Sequence, residues 1–365
     1  MPFHGQDVLC SANAETTFRV VSHDCNLEQE GEGYSMVQFL IRRFIGLIFV
    51  VIGVTFITFI LGYLSQATGT GDPIRNLLGE HFNPSLYAQL KHAYGLDLPW
   101  YQQYFNYLTG LLRGDFGTSF HFQGRAVWDI LKQGVPVSTE LGFWALLLTL
   151  LIGIPVGIVS ALRANSWIDT ANMTVALALY ALPTFVTAVF FQVIIVQLHV
   201  HTCSNANLPC VNWPVSNWGV PWQYSWDDIQ FKLGPIVVYA TTGFAYFTRL
   251  TRNSMLEVIR QDYVRTARAK GMRERTVIYT HAFRNAMIPL ITVLGLTVGL
   301  LVTGVFFVED IFNIPGIGQT SLIAIGDRDY PVIQATTILL AIAVVAGNLL
   351  SDILYTVVDP RIKST

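Results

Sequence analysis

Residues 255–289 read MLEVIRQDYVRTARAKGMRERTVIYTHAFRNAMIP, the most highly charged stretch of a strongly apolar chain. Between Glu257 and Arg275 it carries Arg260, Arg265, Arg268, Lys270, Arg273 and Arg275 against Glu257, Asp262 and Glu274. Long apolar segments lie on both sides. A connection this basic between two membrane spans is retained in the cytoplasm. Few strong breakers precede Gly271, so the pattern predicts helix up to that glycine and a second helical piece after it. Two roles are open to such a stretch. It is a solvated loop that fixes topology, or it is a docking element for a cytoplasmic partner.

The surrounding composition sets the solvent. Of the 365 residues, 52% are apolar and only 13% are charged, where soluble domains carry roughly 25% charge. So little charge cannot cover a soluble surface of this size. Apolar segments occupy 44–64, 141–162, 174–198, 233–248, 286–308 and 332–357. The fourth is short and continues through polar flanks to about Met255. About 20 residues span the hydrocarbon, so the expectation is an all-α membrane protein with six transmembrane helices. With the N-terminus inside, fifteen of the 22 basic residues lie on the inner side. The other seven, Arg75, Lys91, Arg113, Arg125, Lys132, Lys232 and Arg328, are spread over longer outer loops. Both termini are therefore expected in the cytoplasm.

Residues 1–34 are polar and mildly acidic, and are expected to be disordered. They lack the pattern of a signal peptide, and Met36 opens a stretch that could itself begin a chain. His4, Cys10, His23 and Cys25 fit no standard metal-ligand spacing, and the two cysteines are expected as cytoplasmic thiols. The first outer loop, 65–137, is too apolar and aromatic for a free linker. Helical stretches are expected around 84–94 and 100–112, with Trp100 and Tyr101 at the interface. The second outer loop, 199–231, holds Trp213, Trp218, Trp222 and Trp226, read as an interfacial belt. Cys203 and Cys210 lie there, where a disulfide is permitted, although spacing does not fix pairing. His199 and His201 precede Cys203 without a defined metal-ligand set.

Within the spans, Pro155 and Pro183 predict kinks, and Gly153 with Gly157 permits close helix contact. Asp352 is an ionisable group inside the last span, one turn after Asn348, and Glu140 and Glu309 sit near outer ends. There is no set of relay carboxylates, which argues against a proton-driven carrier. No Gly-x-x-x-x-Gly-Lys-[Ser/Thr], His-Glu-x-x-His or Gly-x-Ser-x-Gly occurs, so neither ATP hydrolysis nor another catalytic set is read from this chain.

Eight short motifs then occur in order: MVQFLIRR (36–43), GDFG (114–117), RLTRNSMLEV (249–258), DYVRTARAKG (262–271), HAFRNAMIP (281–289), PGIG (315–318), DYPV (329–332) and DPRI (359–362). Together they resemble the dipeptide/oligopeptide permease subunits of binding-protein-dependent ABC importers, a family that includes nickel permeases. The resemblance covers the chain from about Met36 to its end. It implies the type I ABC importer permease fold: a first transmembrane helix at 36–64, an extracytoplasmic loop at 65–137, a five-helix transmembrane domain at 138–357 and a cytoplasmic tail at 358–365.

The resemblance also implies a coupling helix near 262–271 that sits in a groove of an ATPase subunit. The family's Glu-Ala-Ala triplet corresponds here to Arg265-Thr266-Ala267, with Gly271 four positions after Ala267. Tyr263, Arg265, Thr266, Ala267, Arg268 and Gly271 are the implied coupling residues. Small Ala267 and Ala269 would allow close approach to the groove, Gly271 would end the helix with positive φ, and Arg265 and Arg268 would pair with acidic groups of the partner. The implied partners are a second homologous permease, two ATPase subunits that hold the ATP, an extracytoplasmic binding protein, a peptide substrate and the lipid bilayer. No nucleic acid is implied, and no cofactor in this chain. Nickel or another small solute is the alternative substrate. A secondary carrier has less support.

Overall fold

A computed structural model of the chain describes residues 36–67, 72–78, 83–122, 124–204, 210, 212–301 and 305–358. The expected disordered stretch 1–34, with Cys10 and Cys25, and the closing DPRI motif lie outside these residues. Among the described residues there is no strand, only helices and one isolated bridge between Thr118 and Ala126. The first long helix is α1 (Met36–Ala67). Three short helices follow: α2 (Pro73–Leu78), α3 (Pro84–Ala93) and α4 (Trp100–Leu112). Asn83 caps α3 by accepting the Ser85 N–H, and Pro84 takes the first helical position, where no amide is needed. Both helices predicted in this loop are present, and α4 has the predicted bounds.

The bundle continues with α5 (Val127–Leu162), α6 (Trp167–Ala181), α7 (Thr184–Cys203) and α8 (Trp226–Ile259). It closes with α9 (Asp262–Ala269), α10 (Glu274–Thr276), a π-helical stretch Val277–Phe283, α11 (Arg284–Leu301), α12 (Phe306–Ile311), α13 (Ile317–Asp327) and α14 (Tyr330–Val358). The boundary expected at 137/138 falls inside α5, which begins at Val127.

Five described helical segments are long and apolar enough to cross a membrane: Ile45–Gln66, Val127–Leu162, Thr184–Cys203, Glu274–Leu301 and Tyr330–Ile353. The chain is thus a multi-pass membrane protein. Helix α8, with 34 residues, is about 51 Å long, more than the roughly 30 Å of hydrocarbon. Its ends are polar, with Asp227, Asp228 and Lys232 at one and Arg249, Arg252 and Glu257 at the other. The stretch 174–198, expected as one span, is broken. Leu182 is extended (φ −81°, ψ 123°), as a residue before proline is biased to be, and Pro183 starts α7 afresh. Pro155, by contrast, lies inside a continuous α5.

Small residues set the helix contacts. A Cβ on Gly157 would lie 2.6 Å from Thr251 Cβ and 2.7 Å from Thr248 O, and one on Gly153 would lie 3.2 Å from Phe247 Cβ. Helix α5 therefore lies directly on α8, as the Gly153/Gly157 pair predicts. A second seam joins α11 to α14, where a Cβ on Gly347 would lie 2.7 Å from Gly299 Cα. Apolar lipid offers no solvent drive for such contacts, so they depend on close fit. Gly157→Leu is expected to force α5 off α8 at a cost of roughly 1–3 kcal/mol or more. A lowered unfolding midpoint in detergent checks this, with Gly53→Leu, which faces open space, as control.

At the end of α8 far from α9, three buried carboxylates organise the loops. Glu140 Oε1 receives the Lys232 ammonium at 2.8 Å. Its other oxygen accepts the Trp218 indole N–H and the Trp222 amide, both at 2.9 Å. Lys232 also donates to Val220 O and Gln223 O. Trp218 is fully buried with Leu141, Val238 and Phe312, so it is core rather than interfacial belt, whereas Trp222 and Trp226 are exposed. Glu309 accepts from Ser138 Oγ (2.7 Å) and from the amides of Val305 and Gln319. The PGIG motif wraps this carboxylate: a Cβ on Gly318 would lie 2.8 Å from Phe306 N and 2.9 Å from Glu309 Oε2. Asp329 accepts from Ser119 Oγ and from the amides of Phe120 and His121. That ties the DYPV motif to the loop that follows GDFG.

The sulfurs of Cys203 and Cys210 are bonded to each other, which leaves neither thiol for a metal. Trp100 and Tyr101 are exposed, as an interfacial pair would be, and Asp352 is half-buried on α14.

Candidate functional site: the α9 helix

The basic stretch does not run as one helix to Gly271. Helix α8 stops at Ile259, and Gln261 is extended (φ −69°, ψ 148°), so α9 starts separately at Asp262. The reason is tertiary. Val264 and Ala267, three residues apart, turn one face of α9 inward to pack with Val277 and Val258. Val264 and Val277 are fully buried. A continuation of α8 could not fold back onto Val258.

The other end closes as expected. The Gly271 amide bonds Arg268 O at 2.9 Å and the Met272 amide bonds Ala267 O at 3.4 Å, the two bonds of a Schellman motif. Gly271 has φ +75°, the left-handed conformation that glycine adopts without steric penalty.

Each implied coupling residue has a definite place. Tyr263 is partly exposed, and its hydroxyl accepts from Asn285 Nδ2 at 2.7 Å, which ties α9 to the start of α11. Arg265 is exposed and lies 3.6 Å from Asp262, an exposed pair worth little. The Thr266 hydroxyl donates to Asp262 O. Ala267 is buried against this chain's own valines, so it is not free to enter a partner's groove; Ala269 is exposed and is. Arg268 forks onto Glu274, with Nη2 to Oε1 at 2.8 Å and Nε to both oxygens. A partner's acid would have to compete with that internal pair.

The exposed face of α9 thus consists of Asp262, Tyr263, Arg265, Thr266, Arg268 and Ala269, continued by Lys270. Sequence reasoning missed Val264, Val277, Glu274 and Asn285. The spacing of Val264 and Ala267 in an otherwise charged stretch was the available signal for the inward face.

Near the same end, Arg252 forks onto Asp169, with Nε to Oδ1 at 2.6 Å and Nη2 to Oδ2 at 2.7 Å. Asp169 lies in the first turn of α6, ahead of the apolar stretch. The Arg252 guanidinium holds its carboxyl below the usual carboxylate range. The pair clamps the start of α6 to α8 just before α9 begins.

The chain matches known proteins along nearly all of this architecture. Residues 153–364 match the family described as binding-protein-dependent transport system inner membrane component, and residues 36–142 match that family's N-terminal component. A dipeptide transport system permease protein of Escherichia coli (strain K12) is 36% identical over 349 residues, covering 90% of this chain and 99% of that protein. One of Alkalihalophilus pseudofirmus is 37% identical over 337 residues, covering 90% and 100%. An oligopeptide transport system permease protein of Bacillus subtilis is 34% identical over 328 residues, covering 90% and 100%. The chain belongs to the binding-protein-dependent transport system inner membrane component family.

Proposed function

We propose that this chain is one permease subunit of an ATP-driven importer of di- and oligopeptides. The observation that carries the reading is α9: an eight-residue helix, folded apart from α8, anchored by Val264 and Val277, and presenting a polar and basic face. A protein without an ATP site of its own needs such a surface to receive work from a motor. The permease relatives named for dipeptides and oligopeptides support peptide as the cargo.

In this reading the chain crosses the membrane six times. Helices α6 and α7 together form the third crossing, α8 forms the fourth, and both termini are cytoplasmic. A homologous permease stands beside it, two ATPase subunits hold the ATP, and an external binding protein delivers the peptide. ATP binding draws the ATPases together and moves α9. Its tethers to Val258, Val277 and Asn285 pass that motion to α8 and α11.

Reconstitution of the complete transporter with its binding protein tests the reading. ATPase activity is expected to rise when dipeptides are added. Stimulation by nickel with no response to peptides would overturn the peptide assignment.

A further inference from the structure

The break between α6 and α7 creates a problem that a lipid-facing helix could not tolerate. Pro183 has no N–H, Leu182 is extended, and the Val186 and Thr187 amides bond back only as far as Pro183 O, the cap of α7. The closing carbonyls of α6 therefore have no continuing helix to bond into. In hydrocarbon, each unsatisfied backbone group costs several kcal/mol, so irregular backbone at membrane depth must line protein or water.

The depth is fixed by charge. Thr184 Oγ1 lies 3.2 Å from Thr242 Oγ1 on α8. Thr242 is ten residues from Lys232 on one side and ten from Arg252 on the other, about 15 Å from each. The break therefore sits midway between the polar ends of α8.

A cavity of about 280 Å³ opens beside it, between α5, α6, α7, α8 and α11. Its polar lining comes from Thr149, Tyr180, Thr184, Tyr239, Thr242, Tyr246 and Thr297, and no lining residue is charged. Arg249 lies 5.0 Å over the Tyr180 ring. Tyr180 and Leu182 are exposed on this chain.

We infer that this break and its hydroxyl-lined cavity form the wall that this subunit gives to the transport path, and that the wall handles its cargo through neutral contacts. Resting on the peptide reading above, it offers hydroxyls and aromatic faces to backbone amides, with no charged residue in its lining to meet side chains or termini. A path built this way passes peptides with little regard for side-chain charge.

The test has two arms, both on the full chain in its assembled transporter. In the first, Thr184→Cys and Thr242→Cys are made with Cys10→Ser and Cys25→Ser. Each is exposed to a membrane-impermeant charged thiol reagent, with Ile194→Cys on the exposed face of α7 as control. Both test positions are expected to react roughly tenfold faster than Ile194→Cys or more, since thiol reactivity follows access to water. Rates equal to the control overturn the wall.

In the second arm, uptake of lysine-containing and glutamate-containing dipeptides is compared. Thr242→Asp is expected to shift the ratio toward the lysine peptide by about fivefold, the effect of roughly 1 kcal/mol. Thr184→Asp reads the same contact if Thr242→Asp does not insert. An unchanged ratio overturns contact between cargo and wall. A wild-type transporter that accumulates no peptide overturns the proposed function instead, and the labelling arm still decides the wall.

Discussion

Gly271→Pro is expected to leave the protein inserted in the membrane and to reduce ATP-driven uptake to background. Gly271 sits at φ +75°, whereas the proline ring fixes φ near −65°. The substitution also removes the amide that bonds Arg268 O. The end of α9 must then unwind or re-route, and the polar face it presents is lost.

Gly271→Ala separates the two causes. A Cβ there meets nothing within 4 Å, so only the left-handed backbone penalty of roughly 1–2 kcal/mol remains. Uptake should fall partially with alanine and less with asparagine, which tolerates this conformation better. ATPase activity measured beside uptake distinguishes uncoupling from loss of the motor. Unchanged uptake by Gly271→Pro would remove the helix terminator from the mechanism.

Glu140→Ala should be the most destabilising single change at the opposite end of α8. The Lys232 side chain is 3% exposed and that of Glu140 is fully buried. Truncation leaves the Trp218 indole and the Trp222 amide without their acceptor, and strips the Lys232 ammonium of its counter-ion, with only the Val220 and Gln223 carbonyls left to it. Breaking one side of a buried ion pair costs about 3–5 kcal/mol, because the remaining charge is stranded. The denaturation midpoint in detergent reads the loss. Glu140→Leu combined with Lys232→Met should lose less than either single change, since no charge is then stranded. A cost below about 1 kcal/mol for Glu140→Ala, as for exposed pairs, would mean that water reaches the pair.

These two sites differ in how far the sequence revealed them. The end of α9 was legible because a single residue type satisfies it: glycine after a helical run predicts the positive φ observed. The start of α9 was not, since Arg260 and Gln261 contain no breaker and the break is imposed by valines that close only in the folded chain. Arg268 was expected to face a partner, but Glu274, six residues on, reaches it first. Pro183 announced a distortion, and only the extended Leu182 turns a kink into a break. Glu140 and Lys232 lie 92 residues apart. Read along the chain they are two charges near loop ends, and packing alone makes them a pair. The PGIG motif was legible as a resemblance, whereas its physical reason, the enclosure of Glu309, belongs to the fold.

The π-helical stretch Val277–Phe283 acts as a phase shifter for the helix that follows. Its wider turns advance each residue by less than the roughly 100° of an α-helix, so the azimuth of every later side chain on α11 depends on it. That azimuth points Gly295 and Gly299 at Gly347. The stretch begins with Val277, against which Val264 of α9 packs, and ends one residue before α11, where Asn285 holds Tyr263. The rotational setting of the α11–α14 seam and the seating of α9 are therefore fixed by the same few residues. A torque on α9 acts on the very turn that determines which face α11 presents to its neighbour.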